Sequence, residues 1–240
     1  MNRLSVVVNE RNNGVDINSS NFNKLPLFDQ VKDGSDDIKE KLVGIGDYIV
    51  KNELQSYIGV NLLHRHFKLD DNESLVKECR ADKTAYLSPE CRLSCDSAIP
   101  YLFKFNQSGH MPLEYISVGS VESQRVEESL KRITPHFDNF KHILDNSGLT
   151  DSVGIYIRHH EILSNEFTWI ETSSGNRGLI IQKHHYSDID KYEANETNWY
   201  FDKKILETEV VCGVCCAVHC GVHCGVHWGD KESDPIPAFK

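Results

Sequence analysis

What the chain withholds narrows its function first. None of its 240 residues fall in a run approaching the ~20 consecutive apolar residues that a membrane-crossing helix needs. There is no basic run of five or more residues, and the formal net charge is −10. Such a surface repels phosphate backbones and anionic lipid heads, so neither nucleic acid nor a membrane is an expected partner. The apolar stretch near the N-terminus, Leu4 to Val8, is far too short for a secretory core, which makes a cytoplasmic protein the expectation. A glycine-rich phosphate loop, a dinucleotide fingerprint, a kinase motif set and a nucleophile elbow are all missing.

Cysteine, by contrast, is plentiful. In a reducing compartment the eight cysteines read as thiols or metal ligands rather than disulfides. Five of them fall between Cys212 and His227, in a near tetrapeptide repeat of Cys, Gly or Ala, Val and His. Thiolates interleaved with imidazoles form the donor set that borderline and soft metals prefer. The candidate ligands are Cys212, Cys215, Cys216, His219, Cys220, His223, Cys224 and His227, with zinc as the expected ion and iron, copper or manganese as alternatives. On a helix all eight share one face. On a strand most cysteines point one way with the valines, and the histidines point the other. Valines and interior glycines disfavour the helix, so a buried structural strand competes with a metal site. A repeat tolerated near a chain end is the third reading.

A second constellation lies upstream. Residues 57–67 read as a buried strand carrying His64 and His66, and Val153 to Arg158 as another, leading to His159 and Glu161. The two segments echo one another, each pairing a glycine with a histidine further along. Brought together, His64, His66, His159 and Glu161 make a three-histidine, one-carboxylate set suited to non-haem iron, manganese or nickel. An H-x-H pair on one strand, joined by a Glu and a further His, resembles the ligand logic of cupins. The resemblance is one of chemistry: Gly59 sits one residue too close to His64 for that family's spacing, and Glu73 lies too far along to be its Glu. The family's second glycine-and-proline motif is missing. Satisfied histidines at the edge of a core are the simpler reading of the same residues.

The organisation around these motifs is that of an α+β fold, with a mostly antiparallel sheet and a few packed helices. Residues 1–34 read as a loosely ordered arm, 35–209 as a single α+β domain, and 210–240 as a Cys/His-rich C-terminal segment. Ser35-Asp36-Asp37 opens an amphipathic helix over 36–54, and a turn at Asp70–Glu73 leads to a return strand at Ser74–Lys77. Residues 79–100 are turn-rich. Strands are expected at Tyr101–Phe105 and Glu114–Val118, and helices at Val121–Ile133 and after Thr134-Pro135, closed by Gly148. Phe167–Glu171 and Leu179–Gln182 form a hairpin. The composite expectation is a soluble metal-binding protein whose C-terminal Cys/His site holds a structural zinc. The alternatives are a metal-dependent enzyme of oxygenase or isomerase type using the strand histidines, and a non-enzymatic interaction domain without metal.

Overall fold

The computed structural model describes residues 17–91, 97–159, 166–175, 177–188, 192–203 and 208–217. Its sheet closes on itself as a barrel. In chain order the strands are β1 (Ile58–Leu62), β2 (Glu73–Cys79), β3 (Ala85–Cys91), β4 (Ala98–Asn106), β5 (Gly109–Ser117), β6 (Val153–Ile157), β7 (Phe167–Ser173), β8 (Leu179–His185), β9 (Ala194–Lys203) and β10 (Thr208–Ala217). Around the barrel they run β1-β6-β4-β5-β2-β3-β8-β7-β10-β9, and β9 pairs with β1 to complete the circuit. Neighbours are antiparallel except β2 with β5 and β7 with β10. The α+β expectation therefore holds, with closure into a barrel beyond it.

Closure explains why several strands are apolar on both faces. One face fills the barrel, and the other meets helices packed outside. Helix α4 (Val43–Lys51) lies on β9 and β10, while α5 (Val121–Ile133) and α6 (Phe137–Ser147) lie across β4, β5 and β6. Each buries a helical-period stripe: Ile45 and Ile49; Val126, Leu130 and Ile133; Phe137, Phe140 and Leu144. Ser120 caps α5 by accepting from Ser123 N–H, and Gly148 ends α6 at φ 69°, the left-handed turn that glycine makes without strain. Two other glycines serve close approach. A Cβ on Gly59 would sit 2.4 Å from the Tyr200 ring, and one on Gly154 would sit 2.6 Å from the Phe103 carbonyl oxygen.

The structure departs from the sequence reading at three places. The expected helix over 36–54 is two, α3 (Ser35–Lys41) and α4, parted at Leu42, where β-branched Val43 and two glycines weaken helix propensity. Ser35 lies inside α3 and makes no side-chain cap. The segment at 73–79 does not return along β1: β2 pairs with β3 and β5, while β1 lies between β6 and β9. The turn-rich stretch contains strand β3 despite Pro89. That proline pairs with Leu75 of β2, and the pairing of β3 with β8 on its other side covers only Ala85–Leu87, so the missing N–H costs nothing on the β8 side.

Within the expected arm, α1 (Ile17–Phe22) and α2 (Phe28–Val31) bury Phe22, Leu25 and Phe28 against the barrel. Phe28 N–H donates to the Arg65 carbonyl at 3.1 Å, and Arg65 N–H donates to the Pro26 carbonyl at 2.9 Å. This lashes the arm to the stretch that carries the histidines after β1. Among the described residues no helix is long and apolar enough to cross a membrane.

Candidate metal centre

Inside the barrel, four potential ligands converge from three places in the chain. His64 and His66 follow β1, Glu171 lies in β7, and Cys216 lies near the end of β10. One ligand atom from each falls within 4.8 Å of all the others. The convergence comes from sheet topology: β10 runs parallel to β7 with Cys216 beside Glu171, and β9 connects β10 to β1.

The hydrogen-bond geometry fixes which lone pairs face inward. His64 Nδ1 lies 2.8 Å from the Leu62 carbonyl, an acceptor only, so Nδ1 carries the proton and Nε2 presents a lone pair. That Nε2 is 3.1 Å from His66 Nε2, which in turn is 2.8 Å from Glu171 Oε1. The Cys216 sulfur is 3.6 Å from His66 Nε2 and 3.8 Å from Glu171 Oε1. An imidazole lone pair, a carboxylate and a sulfur thus crowd a single histidine nitrogen. The N–H and S–H available are fewer than the lone pairs they face.

A metal ion resolves that mismatch. Ligand bonds of about 2.0–2.3 Å in a tetrahedron separate donors by about 3.3–3.8 Å. The two sulfur distances already match, and the two shorter ones need to open by a few tenths of an ångström. The Nδ1–H to carbonyl bond of His64 is the outer hydrogen bond that metal-bound histidines commonly make. Phe28 packs its ring 5.0 Å from His64 and 5.8 Å from His66, and with Cys216 forms a small apolar wall.

Electrostatics favour ligand-ready protonation states at His64 and Glu171, and an ion would displace the His66 proton that bonds Glu171. Burial, reinforced by His66, holds His64 down at about 4 and so neutral. Burial alone would raise the Glu171 carboxyl, but the hydrogen bond and charge of His66, helped by His64 and Lys77, hold it at about 2. A neutral imidazole beside an ionised carboxylate is what a cation needs.

A second polar group borders the same cavity. Lys77, 1 % exposed, points its ammonium at His159 Nε2 (3.2 Å) and over the Tyr101 ring (4.4 Å). The Tyr156 hydroxyl is 3.3 Å from the same nitrogen, and the Tyr101 hydroxyl donates to Glu114. Burial lowers Lys77 and raises Glu114, each opposing the other's shift in part.

Measured against the sequence expectations, the structure mixes the two constellations. It joins His64 and His66 from the upstream set with Cys216 from the C-terminal set. His159 is buried beside Lys77 and Tyr156, while Glu161 lies outside the described residues. Cys212 and Cys215 lie in β10, so the helical arrangement does not apply to 212–217, where the ladder with β9 carries bulges. His219, Cys220, His223, Cys224 and His227 lie outside the described residues. Glu171 was not singled out. Its one signal is an acidic residue that follows the apolar pair Trp169-Ile170 in an expected strand.

Comparison with protein-family models, curated proteins and solved structures finds no match for this chain. The class it defines is therefore structural: an α+β barrel with a His/His/Glu/Cys cluster in its interior.

Proposed function

We propose that this is a metal-binding protein whose ion sits inside the barrel on His64, His66, Glu171 and Cys216. The observation that carries the reading is the pinned tautomer of His64, which aims a lone pair at three further potential ligands. A set of thiolate, two imidazoles and a carboxylate suits zinc first and iron(II) second. Four protein donors saturate tetrahedral zinc, which makes the ion structural. Iron(II), with five or six ligands, keeps positions open.

Those open positions support a second reading, a metal-dependent enzyme, because a cavity lined by Lys77, Glu114, Tyr156 and Asn198 adjoins the ligands. The repeat at 219–227 supports a further ion held by His219, Cys220, His223, Cys224 and His227. Elemental analysis tests the whole scheme on wild type, on Cys216→Ser with His66→Ala, and on a chain truncated after Ala217. The barrel site predicts one ion lost in the double variant and kept in the truncation. Retention of all metal by the double variant would refute it. One further ion lost on truncation assigns a second site to the tail.

A further inference from the structure

Asn198 is 1 % exposed, sits on β9 and lines the cavity beside the ion cluster, yet neither its Oδ1 nor its Nδ2 has a hydrogen-bond partner among the described residues. An orphaned buried amide is rare and costly, and one that borders a cavity calls for a partner beyond the described residues. That partner must both accept from Nδ2 and donate to Oδ1. The cavity also holds Lys77 as a buried cation, with the Tyr156 hydroxyl nearby and the Glu114 and Glu171 carboxylates in the same lining.

Size restricts the partner further. The cavity has a volume of about 30 Å³, room for two or three waters at about 10–15 Å³ each. Anything larger than a handful of heavy atoms requires side chains to move.

We propose that this cavity binds a small 2-hydroxycarboxylate, with Asn198 as its recognition residue and Lys77 as its counter-charge. The carboxylate accepts from the Asn198 amide and the Lys77 ammonium, and the neighbouring hydroxyl donates to Asn198 Oδ1. Charge agrees. With a divalent ion offset by Glu171 and the Cys216 thiolate, the remaining formal charges in the cavity lining are Arg65, Lys77 and Glu114, a net positive charge that an anionic ligand offsets. A ligand carboxylate can replace Glu114 as counter-ion, leaving that side chain the proton its burial favours. The inference deepens the metal reading, since it assigns the ligand of the space next to the ion, but Asn198 and Lys77 recognise the acid independently of the metal.

The test is calorimetric titration of glycolate, with acetate as control, into wild-type protein of measured metal content. The same titration is run on Asn198→Asp, Asn198→Ser and Lys77→Met. Glycolate should bind wild type, and acetate at least tenfold more weakly. Both Asn198 variants should lose at least tenfold in glycolate affinity while keeping their metal. Should Lys77→Met fail to fold, the Asn198 pair decides alone. Failure of glycolate to bind metal-loaded wild type, or equal binding in the Asn198 variants, overturns the pocket and leaves the ion reading intact. Equal binding of acetate overturns the role of the hydroxyl. A wild type without metal overturns the ion reading instead, and glycolate binding that is lost in Asn198→Asp then still upholds the pocket. A crystal structure grown in glycolate and showing only two or three ordered waters on Asn198 would also sink the proposal.

Discussion

His64 and His159 are built alike and end up in opposite chemistry. Each lies two residues past the end of a strand, β1 or β6, and those strands are antiparallel neighbours. Each donates Nδ1–H to the carbonyl two residues back, Leu62 or Ile157, at 2.8 Å. Both therefore present an Nε2 lone pair. At His159 that lone pair meets donors, the Lys77 ammonium and the Tyr156 hydroxyl, and the group is satisfied within the chain. At His64 it meets His66, with Glu171 and Cys216 behind, so lone pairs outnumber hydrogens. The same local device yields a hydrogen-bonded strut in one place and a coordination site in the other. The residues brought across the barrel decide which, not the histidine.

The comparison breaks most sharply if the ion is removed. His66→Ala should lose the metal, and with it the stabilisation that a bound ion confers. That stabilisation is about 4 kcal/mol when free ion stands at a thousand times its dissociation constant. Chelated wild type and untreated His66→Ala should then melt within a degree or two of one another. A large remaining gap between them would mean that His66 serves packing rather than metal.

Lys77→Met is the matching cut at the other histidine. It leaves His159 and Glu114 without their cation, and breaking a buried charged group from its partners costs about 3 kcal/mol. Metal content should not change. Loss of metal from this variant would show that the two polar groups form one site, and the contrast between the histidines would dissolve.

Acid separates them next. Chelated protein holds His64 neutral down to about 4 against an ordinary 6.5. Unfolding lets that ring take up a proton, so its contribution is whole above pH 6.5 and is lost as the pH falls toward 4. Glu171, held at about 2 against an ordinary 4.5, contributes above 4.5 and loses that contribution as the pH falls through 2. The melting temperature of chelated protein should decline from about pH 6.5 downward in two overlapping steps. With metal present the decline should begin near the same pH and be steeper, because protons then also expel the ion. A melting temperature that is level between pH 6.5 and 4 in the chelated protein contradicts a buried neutral His64.

How much of this the sequence disclosed depends on the range of the contacts. Local patterns showed the strands of β4 and β5, the β7–β8 hairpin, α5, α6 and the glycine that closes α6, since each rests on neighbours within a few residues. The H-x-H pair and the cysteine repeat were visible as metal-binding chemistry. What could not be read was that they belong together, because His66 and Cys216 lie 150 residues apart. They meet through the β1–β9 and β7–β10 pairings, which no local signal encodes. Glu171 escaped for the same reason: an acid within a strand is ordinary until its neighbour is a thiol. The β1–β6 echo was legible as a repeated glycine-to-histidine spacing. Its shared Nδ1 hydrogen bond emerges only once the strands end where they do.

The smallest effect tests whether the His159 side is as self-contained as its hydrogen bonds imply. Tyr101→Phe keeps the ring that lies under the Lys77 ammonium and removes only the hydroxyl that donates to Glu114. Its net cost should be about 1 kcal/mol, that of one buried hydrogen bond, and not the larger loss of a broken ion pair. Glu114 without that donor has a stronger claim on Lys77, which draws the ammonium off His159 but leaves His64 unmoved. Proton-detected spectra of the two imidazoles distinguish these outcomes directly. A shift at His159 with none at His64 fits two separately satisfied groups, whereas a shift at both would mean that the cavity transmits charge between them.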